Sequence, residues 1–177
     1  NAMKSGGGQT RLNGDLQGKT LGVLGLGKLG SAVATVGKAF GMNVIAWSQN
    51  LTAERAAEIG VERVEKDALM AQSDYISIHL ILSDRSRGLV GADDLARMKP
   101  SAYLVNTSRG PIVDEDALLD ALRNKRIAGA GIDVYETEPL PADNPFRALD
   151  NVLLTPHMGY VAENNIAHMY SQAAEDI

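Results

Sequence analysis

The chain has 177 residues, 45% of them apolar and 22% charged, which is enough for a sizeable core and too apolar for a disordered polymer. A net charge of −5 removes the usual ground for nucleic acid or an anionic membrane as partner, and no apolar run approaches the ~18 residues of a membrane span. With no cysteine the chain forms neither disulfides nor thiolate metal sites, which fits a reducing, cytoplasmic setting.

Residues 1–14, from Asn1-Ala2-Met3 through Gly6-Gly7-Gly8, read as a tag remnant and flexible lead-in. Short apolar runs then alternate with helical patterns. Strands are expected at 20–25, 43–48, 74–80, 102–107, 128–134 and 152–155, and helices at 29–41, 52–60, 91–98 and 114–125. The strand centres are continuously apolar and rich in Val, Ile and Leu, as in parallel strands buried on both faces. In the last of these helices Leu118, Leu119 and Leu122 share one face, and Asp114 is placed to cap it. The alternation predicts an α/β fold with a doubly wound parallel sheet, the Rossmann type. Residues 136–150, with three prolines, form a long irregular connection.

The first strand runs into Gly25-Leu26-Gly27-Lys28-Leu29-Gly30, a GxGxxG that opens a helix. Gly25 permits the tight turn, Gly27 lets backbone approach a pyrophosphate, and Gly30 lets helix and strand pack closely. The helix N-terminus then offers free N–H groups and a partial positive charge to phosphates. Such sites place an acid after the second strand to hold the adenosine ribose. Here that turn reads Trp47-Ser48-Gln49-Asn50, and the next acid is Glu54, already inside the following helix. The repulsion that excludes a 2′-phosphate is therefore missing. Ser48, Gln49 and Asn50 can bond a hydroxyl or a phosphate, with Arg55 near enough to help the latter, so NAD and NADP both stay open.

Arg109 follows Asn106-Thr107-Ser108 at the end of a strand, where open α/β sheets bind ligands. A guanidinium there can clamp a carboxylate in two parallel hydrogen bonds, or simply make a local salt bridge. Glu138 and His157 each follow a strand, in Tyr135-Glu136-Thr137-Glu138-Pro139 and Thr155-Pro156-His157-Met158-Gly159. A carboxylate beside an imidazole favours its protonated form, and such a histidine can exchange a proton with a substrate oxygen near neutral pH. Taken singly, Glu138 reads equally as loop solvation and His157 as a strand-end histidine. His79 ends the third strand, where it touches cofactor or packs, and His168 reads as a surface residue. Three scattered histidines have no metal-site spacing.

Together, "DLQGKTLGVLGLGKLG", "IHLILSDRSRGLVG", "LVNTSRGPIVDEDAL", "GAGIDVYETEPLP" and "LTPHMG" resemble the D-isomer-specific 2-hydroxyacid dehydrogenases, from Asp15 onward. The resemblance implies hydride transfer between a nicotinamide cofactor and a small 2-keto or 2-hydroxy acid. It makes Arg109 the clamp on the substrate carboxylate, His157 the acid/base at the 2-keto oxygen and Glu138 its carboxylate partner. It places Asp133 at the nicotinamide carboxamide and the backbone of Lys28 and Leu29 at the pyrophosphate. His79, Thr107 and Gly159 complete a cofactor set with Gly25, Gly27, Gly30, Ser48, Gln49 and Asn50. It also implies a homodimer, with residues 136–150 contributing to the interface.

Two departures stand out: Ile81 where the family usually has proline, and Ser48 in place of the acid. Family members also carry a second domain that faces the cofactor across the active-site cleft. The lead-in reaches the first strand almost at once, and the helical pattern in "NNIAHMYSQAAEDI" stops mid-course. Residues 15–177 are thus expected to be a dinucleotide-binding domain ending in a truncated helix, with the substrate domain largely absent. Alone it should bind cofactor and turn over slowly or not at all. The alternatives are a nucleotide-sensing, corepressor-like interaction protein with the same Arg/Glu/His set, or an inactive cofactor-binding fragment. Which 2-hydroxy acid is involved is not written in the sequence.

Overall fold

The apolar runs of the chain become the strands of one parallel sheet. In the computed structural model, which describes Gly6 and residues 14–175, the elements run β1 Thr20–Leu24, α1 Lys28–Ala39, β2 Asn43–Trp47, α2 Ala53–Glu58 and β3 Glu62–Arg63. They continue α3 Lys66–Gln72, β4 Tyr75–Ile78, α4 Ala92–Arg97, β5 Tyr103–Asn106, α5 Glu115–Arg123, β6 Gly129–Ile132, β7 Val152–Leu154 and α6 Glu163–Glu175. The strand order is β3-β2-β1-β4-β5-β6-β7, with every neighbouring pair parallel. The chain leaves β1 toward one edge and returns past it to β4, so the switch point lies between β1 and β4, where such sheets open a ligand crevice.

Successive side chains of a strand point to opposite faces, and the central strands feed two cores accordingly. Leu21, Val23, Val44 and Ala46 join Ala34 and Val61 on one side. Leu24 and Ile45 join Leu69, Ile76, Leu104, Leu122 and Ile132 on the other. The doubly wound reading of the sequence holds in this arrangement. Asp114 caps α5 as expected, accepting from the Ala117 N–H at 3.0 Å, and Leu118, Leu119 and Leu122 are buried.

Three differences from the sequence reading have physical reasons. The two-residue β3 is polar, Glu62-Arg63, and sits at a sheet edge where no apolar pattern is required. The seven-residue α3 buries only Leu69 and Met70, too few to write a helical period. The last strand, expected to be buried on both faces, is an edge strand with Leu153 70% exposed, because no eighth strand or helix covers that side among the described residues. The lead-in at 1–14 lies, Gly6 and Gly14 apart, outside the described residues.

One close approach seats α1 on the sheet. Gly25 has a φ of +101° and its N–H bonds the Trp47 carbonyl at 2.8 Å, so the turn is held against the end of β2. A Cβ on Gly30 would lie 1.9 Å from the Gly25 carbonyl oxygen, a backbone atom that cannot swing away. A Cβ on Gly27 would meet nothing within 4 Å. Gly30→Ala is therefore expected to lower the unfolding free energy by about 3 kcal/mol or more, the upper range of overpacking, while Gly27→Ala stays within about 1 kcal/mol of wild type. Urea denaturation of the two variants checks this, and equal midpoints would refute it.

Candidate active site

Parallel strands send all their outgoing loops to one edge, and the predicted site residues are strung along it. In spatial order they are Ser48 after β2, the glycine loop after β1, His79 after β4, Thr107 and Arg109 after β5, Asp133 and Glu138 after β6, and His157 after β7. From β2 to β6 is four strand spacings, roughly 19 Å.

The first half of this edge is a cleft of about 510 Å³ over the switch point. Its walls include Gly25, Leu26, Gly27, the turn Trp47 to Asn50, His79 and Ile81. The N-terminus of α1 opens beside it with no side-chain cap and no acid in its first turn, and Gly27 leaves room for close approach. A cradle of uncapped N–H groups and an open glycine suits a pyrophosphate, so the residues present fit a dinucleotide. Ser48 Oγ accepts from the Leu26 N–H at 3.4 Å, tying the β2 turn to the glycine loop. Lys28 and Leu29 begin α1 with exposed side chains, so only their backbone faces inward. His79 is half-buried, its Nε2 2.9 Å from Ser77 Oγ, and burial holds its imidazole below the usual histidine range. It both packs and lines the cleft. Ile81, in the position of the family's proline, is 87% exposed on the cleft wall.

The second half is built on carboxylates. Glu138 Oε2 meets His157 Nδ1 at 2.7 Å, and Glu138 Oε1 accepts the Tyr135 N–H at 2.9 Å. Burial pushes the Glu138 carboxyl up, but the His157 and Tyr135 hydrogen bonds and the charges of His157 and Arg109 outweigh it and hold it below the usual range. His157 Nε2 makes no hydrogen bond among the described residues. The histidine adopts a φ of +53°, a left-handed conformation uncommon outside glycine.

Asp133 holds that conformation in place. Only 4% exposed, it accepts from Thr155 Oγ1, from the Met158 N–H at 2.9 Å and from the Gly159 N–H at 2.8 Å. The two residues after His157 are thereby pinned to the end of β6. Burial raises the Asp133 carboxyl, and these three bonds with the His157 charge more than reverse the shift. Arg109 is exposed on a loop folded by Asn106, whose side chain bonds the Arg109 carbonyl at 3.0 Å and the Ser108 N–H at 3.0 Å. A Cβ on Gly110 would lie 2.1 Å from the Tyr135 carbonyl carbon, so glycine lets the Arg109 loop lie against the loop that bears Glu138.

A second cavity of about 530 Å³ touches Glu138 and His157 on the side of Pro139, Leu140 and Arg147. Neither Arg109 nor the glycine loop lines it, so it is separate from the cleft over the switch point. The structure thus brings Arg109, Glu138 and His157 to adjacent strand ends. It sets Ser48, Gln49 and Asn50 at the far end of the edge and leaves His168 exposed on α6. Sequence reasoning missed Arg85, Ser83 and Ser86, which line the cleft from the loop after β4. No local signal marks them as cleft residues, since their place there depends on β4 lying next to β1 at the switch point. It also missed the pinning by Asp133 and Thr155, which joins residues far apart in sequence and has no local signature.

The model of the family described as D-isomer specific 2-hydroxyacid dehydrogenase, NAD binding domain, matches residues 1–159. A glyoxylate reductase of Aeropyrum pernix is 46% identical over 163 residues, 92% of this chain and 49% of the relative. A D-3-phosphoglycerate dehydrogenase of Synechocystis sp. is 43% identical over 159 residues, 90% of this chain and 28% of the relative. Among solved structures, the NAD-complexed form of a D-isomer specific 2-hydroxyacid dehydrogenase from Lactobacillus delbrueckii ssp. bulgaricus superposes with a TM-score of 0.82 at 30% identity, over 93% of this chain and 54% of that one. The chain spans about half the length of the first of these relatives and less of the second.

The folded-state carboxyls of Asp133 and Glu138 lie below their unfolded values, so their stabilisation is full above about pH 4 and is lost as pH falls through the folded values. Asp133→Asn removes the Asp133 share, and its melting temperature should fall less steeply on acidification below about pH 4 than that of wild type. Asp133→Ala should cost about 2–3 kcal/mol at neutral pH, because two N–H groups lose their acceptor. Parallel acid limbs for wild type and Asp133→Asn in thermal unfolding would refute the assignment.

Proposed function

The chain belongs to the D-isomer specific 2-hydroxyacid dehydrogenases as their NAD-binding domain, and we propose that the protein carrying it transfers hydride between NAD(P)H and a small 2-keto or 2-hydroxy acid. The observation that carries this reading is the arrival of Arg109, Glu138 and His157 at three consecutive strand ends, beside a cleft shaped for a dinucleotide. Residues 15–177 act as the cofactor-binding domain. The nicotinamide, when bound, supplies the hydride; the chain's own residues orient the acid and move the proton.

Arg109 offers an exposed guanidinium to the substrate carboxylate, and the same charge next to the 2-keto group draws electron density toward its oxygen. His157 presents Nε2 to that oxygen, because Glu138 occupies Nδ1 and so fixes which nitrogen exchanges the proton. Glu138 stays ionised while doing so, held down by the Tyr135 N–H and by the cations it faces. Asp133, with Oδ2 bonded by one N–H, keeps a lone pair for the carboxamide while it positions the His157 loop. Reduction and oxidation use the same groups in opposite order.

The relatives are about twice this length or more, and the cleft floor described above needs a facing wall to exclude water. Turnover therefore belongs to a protein in which this domain meets a second one, and the chain alone binds cofactor with little or no turnover. The same reading carries a cytoplasmic setting and a homodimer through residues 136–150, which light scattering tests; a monomer throughout the micromolar range removes the dimer. In a two-domain protein bearing this domain, His157→Asn should lower kcat by about 10²–10⁴-fold in reduction of a 2-keto acid. The quenching of Trp47 by bound NADH should survive the same substitution. Unchanged turnover by the variant would sink the proposal.

A further inference from the structure

The adenosine end of the cleft carries charge of one sign. No aspartate or glutamate is among the residues lining the cleft, whereas Arg55 and Arg85 both line it, next to Ser48, Gln49 and Asn50. Arg55 pairs with Glu58 on the exposed face of α2, and the Arg85 guanidinium makes no hydrogen bond or ion pair among the described residues. Gln49 Nε2 donates to the Arg85 carbonyl at 3.3 Å, so the loop after β4 is tied to the turn after β2 and both belong to one rim. Ser48 accepts from the Leu26 N–H, which leaves its own O–H proton free to donate outward.

A carboxylate at the Ser48 position would accept from a ribose 2′-hydroxyl and repel a 2′-phosphate. The rim present here lacks that repulsion, while its neutral oxygens can still accept from the hydroxyl. A phosphate ester only accepts hydrogen bonds and carries charge, and this rim offers a hydroxyl proton, amide N–H groups, the Arg85 guanidinium and, shared with Glu58, that of Arg55. Resting on the dinucleotide reading above, we propose that this rim is a 2′-phosphate subsite. NADP(H) is then taken at least as readily as NAD(H), with Ser48 and Asn50 as neutral donors, Gln49 as the tie and Arg85 and Arg55 as the charge partners. Both arginines are exposed, so the preference they confer is modest and weakens with salt.

Trp47 lines the same cleft and reports occupancy directly. The 177-residue chain is titrated with NADH and with NADPH, following tryptophan quenching, at low and at about 0.5 M salt. NADPH should bind at least as tightly as NADH at low salt and lose more affinity at high salt. Ser48→Asp should shift the ratio of the two constants about tenfold or more toward NADH, and Arg85→Ala should shift it about threefold or more the same way. Adenosine 2′,5′-bisphosphate should displace NADPH better than 5′-AMP does. NADH bound ten times more tightly than NADPH by the wild-type chain overturns the subsite and leaves the dinucleotide reading standing. A ratio unmoved by Ser48→Asp overturns its assignment to this turn. A folded chain, checked by circular dichroism, that neither nucleotide quenches overturns both readings together.

Discussion

Because all seven strands run the same way, every outgoing loop leaves from one edge of the sheet, and everything chemical in this molecule follows from that constraint. Residues as far apart in sequence as Ser48 and His157 become members of one row. The row is ordered by strand position, not by chain position: β2, β1, β4, β5, β6, β7. Reversing direction at the switch point between β1 and β4 parts the loops over Gly25 and opens the cleft there. The helix that begins beside the cleft approaches the sheet so closely that Gly30 has no room for a Cβ. Fold and cleft are thus one piece of packing, and a change at Gly30 disturbs both.

Further along the row, two carboxylates divide the work. Asp133 is buried and accepts the two backbone N–H groups after His157, which keeps that residue in a conformation with a positive φ. Glu138 is partly open and spends its capacity on the imidazole and on the Tyr135 N–H. One sets where the histidine stands and the other sets which ring nitrogen is free. Both carboxyls are held below their ordinary values against the pull of burial because each accepts two or more hydrogen bonds and lies near His157. The end of the row nearest β2 works oppositely, with arginines, a hydroxyl and amides and no carboxylate. The edge therefore changes electrostatic character along its length, acidic at β6 and basic at β2.

The parts of the fold legible in the sequence are those whose physics is local. The run from β1 through the glycine loop into α1 announces itself by an apolar stretch, three spaced glycines and a helical period. The start of α5 announces itself by a capping aspartate and an apolar face, and Asp114 does cap it. The edge strand β3 is two polar residues and α3 buries only Leu69 and Met70, so hydrophobic pattern has little to write in them. Leu153 is apolar on an exposed edge strand, where composition alone suggested a buried one. In the site, Arg109, Glu138 and His157 were legible as strand-end residues and as motif positions. Arg85 was passed over because nothing in its own neighbourhood marks it, and only its place beside the β2 turn makes it part of the cleft.

The sequence by itself determined the alternation of strands and helices, the turn that only glycine can make, and the residue types able to clamp, donate and neutralise. Those properties depend on spacing and on side-chain chemistry within a few residues. Strand order was decided by tertiary structure, and with it the meeting of Glu138 with His157 across nineteen positions and of Asp133 with Gly159 across twenty-six. Hydrogen bonds of that separation depend on how sheet packing brings loop ends together, and no local pattern records them.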